Sequence, residues 1–117
     1  MKLEELIKKE LILEIIIFFV GMLSISLFYK DNLLLFVLLM LYWVVGIRFW
    51  HKRHDVYFYI TGAIIGSIGE IVCIHFGVWI YVNPTLFGIP IWLPLAWGLF
   101  TMLIKRVAET FVRIEMK

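Results

Sequence analysis

The chain contains one cysteine, three prolines and few charges. A single thiol, Cys73, cannot close an internal disulfide, and it supplies at most one of the three or four ligands a metal site usually needs. Asp, Glu, Lys and Arg make up 17% of the 117 residues, where soluble domains carry roughly 25%. Their scarcity is uneven, because Glu70 is the only one of the four types between Asp55 and Lys105. What the sequence has in excess is apolar: 63% hydrophobic residues and a mean hydropathy of +0.99. A domain this small leaves much of its surface outside any core, so water would not dissolve it. Soluble enzymes, nucleic-acid modules, secreted disulfide scaffolds and disordered tails are thereby excluded, and a polytopic membrane protein remains.

A bilayer core of about 30 Å takes about 20 apolar helical residues. Four stretches meet or approach that length, at about 11–29, 33–50, 56–76 and 89–104, and together they predict one all-α domain over 1–117. Lys30-Asp31-Asn32 separates the first two, and the basic run from His51 to Asp55 separates the next two. Asn83-Pro84 and Gly88-Ile89-Pro90 read as a non-helical connection before the fourth. A cleaved signal peptide does not fit the first stretch: it is too long, is preceded by Glu4, Glu5 and Glu10, and lacks a small-residue cleavage pattern.

Placement of the positive charges gives the orientation. Lys2, Lys8 and Lys9 precede span one; Arg48, Lys52 and Arg53 lie between spans two and three; Lys105, Arg106, Arg113 and Lys117 follow span four. With four spans all of these share one side and Lys30 alone takes the other. Both termini are therefore expected in the cytoplasm of a multi-pass cell-membrane protein. Leu3, Leu6, Ile7 and Leu11, and later Val107, Phe111 and Ile114, recur at helical spacing, which predicts amphipathic extensions at both ends. Glu14, near the cytoplasmic boundary, reads as an interfacial charge.

Glu70 is the first candidate for chemistry. It lies past the midpoint of span three, where a carboxylate costs on the order of 2.5–3.5 kcal/mol. A carboxyl in such surroundings can donate a proton, carry one, or hydrogen-bond a neighbouring helix. Gly62, Gly66 and Glu70 recur every four residues, with Gly69 and Cys73 close to the same stripe. Small residues at this spacing allow close helix packing in lipid, so Glu70 should face protein. Beyond it come His75, Trp79, Tyr81, Asn83, Trp92 and Trp97, polar tips on largely apolar bodies that suit an aromatic belt or a substrate site. His75 is a weaker catalytic candidate, because five helical residues place it roughly 140° from Glu70 and about 7.5 Å along the axis. Pro90 and Pro94, four apart, predict a kinked fourth span with a pocket beside Glu70. His51 and His54 have only Asp55 as a nearby acid; no metal site and no cofactor is expected.

The order of residues from 66 to 97 is a glycine-rich helix with Glu70, then Phe76-Gly77-x-Trp79-x-Tyr81, Gly88-x-Pro90 and Pro94-x-x-Trp97. This stretch resembles the membrane-embedded carotenoid-biosynthesis hydratases of the bacterioruberin pathway. It is also similar to the small membrane lycopene cyclases, although those carry an acidic pair where this chain has Ile91 and Trp92. The resemblance implies a polyisoprenoid substrate held within the bilayer, an acid in a dry pocket, and aromatic faces that stabilise carbocations. It singles out Glu70, Trp79, Tyr81, Pro90 and Trp97, and implies a half-sized relative working as an oligomer.

The sequence thus points to a lipid- or isoprenoid-active membrane enzyme with Glu70 as acid. Two other classes are consistent with it: a small proton-coupled carrier or exporter, and a structural or assembly subunit for which Gly62 and Gly66 matter. The expected partners are membrane lipid and further copies of the chain or other subunits of a membrane complex, not nucleic acid.

Overall fold

A computed structural model describes the backbone of residues 3–50 and 54–115 and, apart from 3, 4 and 47–50, their side chains. Lys2, His51, Lys52, Arg53, Lys117 and the Arg48 side chain, which enter the charge and histidine arguments, lie outside the described residues. Four helices form an all-α fold: α1 (Leu3–Phe28), α2 (Asn32–Trp50), α3 (Asp55–His75) and α4 (Leu93–Glu115). Two of these stretches, Glu5–Phe28 and Asp55–His75, are long and apolar enough to cross a membrane; the apolar part of α2, Asn32–Gly46, is shorter.

Local chemistry explains the boundaries. The Leu34 N–H donates to Asp31 Oδ1 at 3.1 Å, an N-cap that starts α2 directly after the turn closed by Asp31 N–H on the Phe28 carbonyl. At the end of α3, Gly77 adopts φ +78°, while the Gly77 and Val78 N–H groups donate to the Ile74 and Cys73 carbonyls at 3.0 Å each. This is a Schellman cap, in which glycine takes the left-handed position without a Cβ penalty. It reverses the chain immediately after the helix. A second reversal follows at the tip of the loop, where Phe87 (φ +52°) and Gly88 (φ +88°) lie between Leu86 and Ile89.

The fourth helix differs from expectation. It starts at Leu93 rather than near residue 89 and continues unbroken to Glu115. Pro90 lies in the preceding loop and Pro94 in the first helical turn, where a missing N–H has no intrahelical carbonyl to lose. The prolines therefore position the start of α4 and do not kink it. The amphipathic runs near both termini are continuous with α1 and α4.

Helix α4 is the centre of the bundle and packs on each of the other three helices. It runs antiparallel to α1, with Arg113 on Glu10, Thr110 on Glu14 and Phe100 against Phe18 at 5.2 Å. Against α3 it is antiparallel again: Arg106 and Lys105 meet Asp55, and Thr101 and Trp97 lie over Gly62 and Gly66. Helix α2 joins α3 by the stack of Trp43 on Tyr59, with centroids 4.0 Å apart. The start of α1, the start of α3 and the end of α4 therefore gather at one end of a body measuring 49 × 26 × 21 Å. At the other end, Asn32 Nδ2 donates to the Asn83 carbonyl (2.8 Å) and to Thr85 Oγ1 (2.9 Å), and Asn83 Nδ2 donates to the Lys30 carbonyl. These bonds tie the 76–92 loop to the α1–α2 turn.

Polarity is inverted relative to a water-soluble bundle. Glu14, Asp55, Arg106 and Thr110 are buried, whereas Ile12, Phe19, Leu23, Leu27, Ile65 and Ile104 are each more than half exposed. The apolar core that does form is small: Leu35 and Leu39 from α2 against Ile89, Trp92, Leu93 and Ala96.

Candidate functional site

Three elements converge on Glu70. The α3 helix carries it, the reversal at Gly77 brings Trp79 and Tyr81 back toward it, and α4 supplies Trp97. Trp79 Nε1 and Tyr81 Oη both donate to Glu70 Oε2, at 2.7 and 2.9 Å. Trp97 Nε1 donates to Oε1 at 3.3 Å. The two oxygens are therefore unequal: Oε2 accepts two good bonds, and Oε1 accepts one long bond and keeps spare acceptor capacity. Indole N–H groups only donate, so both tryptophans fix the carboxyl as an acceptor. Burial, the hydrogen bond to Glu70 and the charge of that carboxylate push the Tyr81 phenol above its ordinary value of 10. Tyr81 is accordingly a neutral donor across the physiological range.

Close approach of α3 and α4 makes this geometry possible. A Cβ at Gly62 would collide with the Thr101 side chain and lie 2.9 Å from the Trp97 carbonyl oxygen; one at Gly66 would run into the Trp97 indole. Gly98 is the reciprocal contact on α4, where a Cβ would lie 2.9 Å from the Tyr59 carbonyl oxygen. Gly69 is different. Among the described residues no atom lies within 4 Å of the Cβ it would carry, so within the chain it packs on no helix. It instead borders, with Glu70, an open cavity of about 480 Å³ between α3 and α4. Gly62, Gly66, Trp79 and Trp97 are also in the wall, together with Thr61, Cys73 and Thr101.

The other candidates lie elsewhere. His75 is exposed at the end of α3, edge-on to Phe76 at 5.3 Å, and does not line the cavity. Asn83 fastens the loop to the α1–α2 turn. Trp92 is buried in the small core, edge-on to Tyr81 with centroids 6.3 Å apart, so it supports the ring that bonds Glu70 without reaching the cavity. Pro90 is buried in the loop. Among the described residues no three His, Cys, Asp or Glu side chains come together as a metal site would require.

Sequence reasoning missed the polar side chains at the opposite end. Glu14, expected at an interface, is fully buried, with the Thr110 hydroxyl donating to it at 3.2 Å. Asp55, read as part of a loop, is fully buried as the first residue of α3. It accepts from Lys105 Nζ at 3.0 Å and Arg106 Nε at 3.1 Å. A second cavity, about 580 Å³ and almost wholly apolar, lies between α1, α2 and α4, with Phe18, Tyr42 and Phe100 in its wall. It offers volume for hydrocarbon, and its one ionisable side chain, Tyr42, shares a 2.6 Å hydrogen bond with the Ser24 hydroxyl. Comparison of the chain with protein-family models, curated proteins and solved structures yields no match.

Proposed function

We propose that the chain is a four-span membrane protein, both termini on the cytoplasmic side, that draws a lipid-soluble substrate into the Glu70 cavity and acts on it there. Support for the membrane assignment comes from exposure. Only 11% of the most apolar window of α1 and 17% of that of α3 is buried, leaving long hydrocarbon faces that water would penalise. Support for the orientation comes from the charges: Lys8, Lys9, Lys105, Arg106 and Arg113 all belong to the end where the chain begins and finishes, and that end is the cytoplasmic one by the positive-inside rule.

One observation carries the chemical reading: a carboxyl bonded by three aromatic donors in the wall of an open cavity between two helices. Glu70 handles the proton. Oε1, with its single long hydrogen bond, is the oxygen available to hold a proton and exchange it with substrate. Trp79 and Trp97 line the same space and can stabilise positive charge on carbon with their ring faces. This is the chemistry that alkene protonation on a lipid or isoprenoid chain requires. Four of the residues that carry the resemblance to the carotenoid hydratases, Glu70, Trp79, Tyr81 and Trp97, are those that meet here. The test is mass spectrometry of the hydrophobic molecules retained when the protein is extracted from its native membrane, compared with Glu70→Gln. A recurrent isoprenoid or other discrete lipid whose amount or structure changes in the variant supports the assignment. Bulk phospholipid alone, identical in both, overturns it.

A further inference from the structure

The cavity also constrains which lipid-soluble molecules it favours. The three groups on Glu70 are two indoles and a phenol. They orient the carboxyl without neutralising it, and among the described residues no cation forms an ion pair with it, in contrast to Asp55 and Glu10 at the other end of the bundle. A carboxylate kept in apolar surroundings without a counter-charge is unfavourable, so a ligand that brings the opposite charge gains more here than a neutral one. The rest of the wall specifies the kind of cation. Thr101 Oγ1 already donates to the Trp97 carbonyl at 2.8 Å, and Glu70 Oε2 already accepts two bonds. A primary ammonium needs three acceptors converging on it, for which the wall has Glu70 Oε1 and the Thr61 and Thr101 hydroxyls; a quaternary ammonium needs none. Its methyl groups suit aromatic rings; Trp79 and Trp97 are in the wall with Gly69, where no described atom lies within 4 Å of the Cβ it would carry.

We infer that the Glu70 cavity binds amphiphiles bearing a quaternary ammonium head, with the Glu70 carboxylate as counter-ion and Trp79 and Trp97 as the aromatic walls. The inference rests on the reading that this cavity takes a ligand from the bilayer; it concerns Glu70 in the ionised form, after its proton has been given up, and adds the head-group class. It is tested on the whole chain in nanodiscs of uncharged glycolipid, which brings no competing quaternary ammonium, by thermal shift and tryptophan quenching with three ten-carbon amphiphiles: decyltrimethylammonium, decanol and decyl sulfate. Glu70→Gln retains the shape of the side chain and a carbonyl for the donors while removing the charge, and Trp79→Phe keeps the full charge with a weaker aromatic wall. The expected result is binding of decyltrimethylammonium on the order of tenfold tighter than of decanol. That preference should disappear in Glu70→Gln and shrink in Trp79→Phe. Equal affinity for the cation and the alcohol in the unmodified protein overturns the head-group assignment and leaves the lipid-binding cavity standing. Failure of all three amphiphiles to bind overturns both.

Discussion

Gly66 and Gly69 lie three residues apart on one helix, and the same substitution should have opposite signs at the two. A methyl group at Gly66 would run into the Trp97 indole, with Cε3 at 2.7 Å and two further ring atoms closer still. Overpacking of this kind costs about 1–3 kcal/mol, against which the higher helix propensity of alanine returns about 1 kcal/mol. The net effect of Gly66→Ala is a loss of up to about 2 kcal/mol. Gly62→Ala should cost more, because one of its contacts is the Trp97 carbonyl at 2.9 Å, and a backbone atom yields less readily than a side chain. Gly69→Ala meets no described atom and should gain up to about 1 kcal/mol. Reversible unfolding in mixed micelles, followed by far-ultraviolet circular dichroism, measures all three. If Gly69→Ala destabilised as much as Gly66→Ala, the face of α3 turned to α4 would be misassigned, and a second chain packed on Gly69 would be the better explanation.

Removing the buried carboxylate at the opposite end should be more damaging. Asp55→Ala leaves the Lys105 and Arg106 head groups without the charge they converge on, at a cost of about 3–5 kcal/mol in the same unfolding assay; a loss under 1 kcal/mol would mean that the cluster is solvated. Tyr81 should titrate above the ordinary phenol value of 10, and the absorbance of tyrosinate near 295 nm should lose its highest-pH component in Tyr81→Phe. Because the folded-state value is raised, the stabilisation from keeping this phenol neutral is complete below about pH 10 and is lost as pH rises through the folded-state value. Orientation can be read with a membrane-impermeant thiol reagent in a Cys73→Ser background: Lys30→Cys should label from outside intact cells and Glu109→Cys only after permeabilisation. Labelling of both from outside would refute the shared cytoplasmic side of the termini.

Much of this arrangement is legible before any coordinates. The positions of α1 and α2 follow from apolar runs interrupted only by Glu14 and Arg48, and the capping Asp31 sits in the break that separates them. The four-residue spacing of Gly62, Gly66 and Glu70 places all three on the face of α3 that meets α4, since small residues mark the closest approach and a carboxyl must find partners there. What periodicity does not reveal is which donors return to Glu70. Trp79 and Tyr81 reach it only because Gly77 takes a left-handed conformation and turns the chain back, and a Phe-Gly pair at the end of an apolar helix announces the stop without the direction. Trp92 and Trp97 show the same limit: five residues apart at the start of α4, one enters the core with Leu35 and Leu39 while the other bonds Glu70, and only the packing of α4 between α2 and α3 decides which does which.

Glu14 and Pro94 depart from the sequence expectation for opposite reasons. A proline in an apolar run breaks a helix only if the helix already extends on both sides of it, and here the helix begins at Leu93. Glu14, an acid one or two turns from a run of lysines, resembles an interfacial charge, and its true environment depends on Thr110, which is 96 residues away. Thr110 is itself an indirect clue. In α4 the residues Trp97, Thr101, Lys105 and Arg106 meet α3, while Phe100, Thr110 and Arg113 meet α1, so the helix presents polar contacts to two neighbours. In the proposed membrane arrangement a helix with polar residues on two faces has to be central to its bundle, because neither face can be left to lipid. Both neighbouring helices must therefore supply buried polar partners, and the acids available near the same end are Asp55 on α3 and Glu10 and Glu14 on α1.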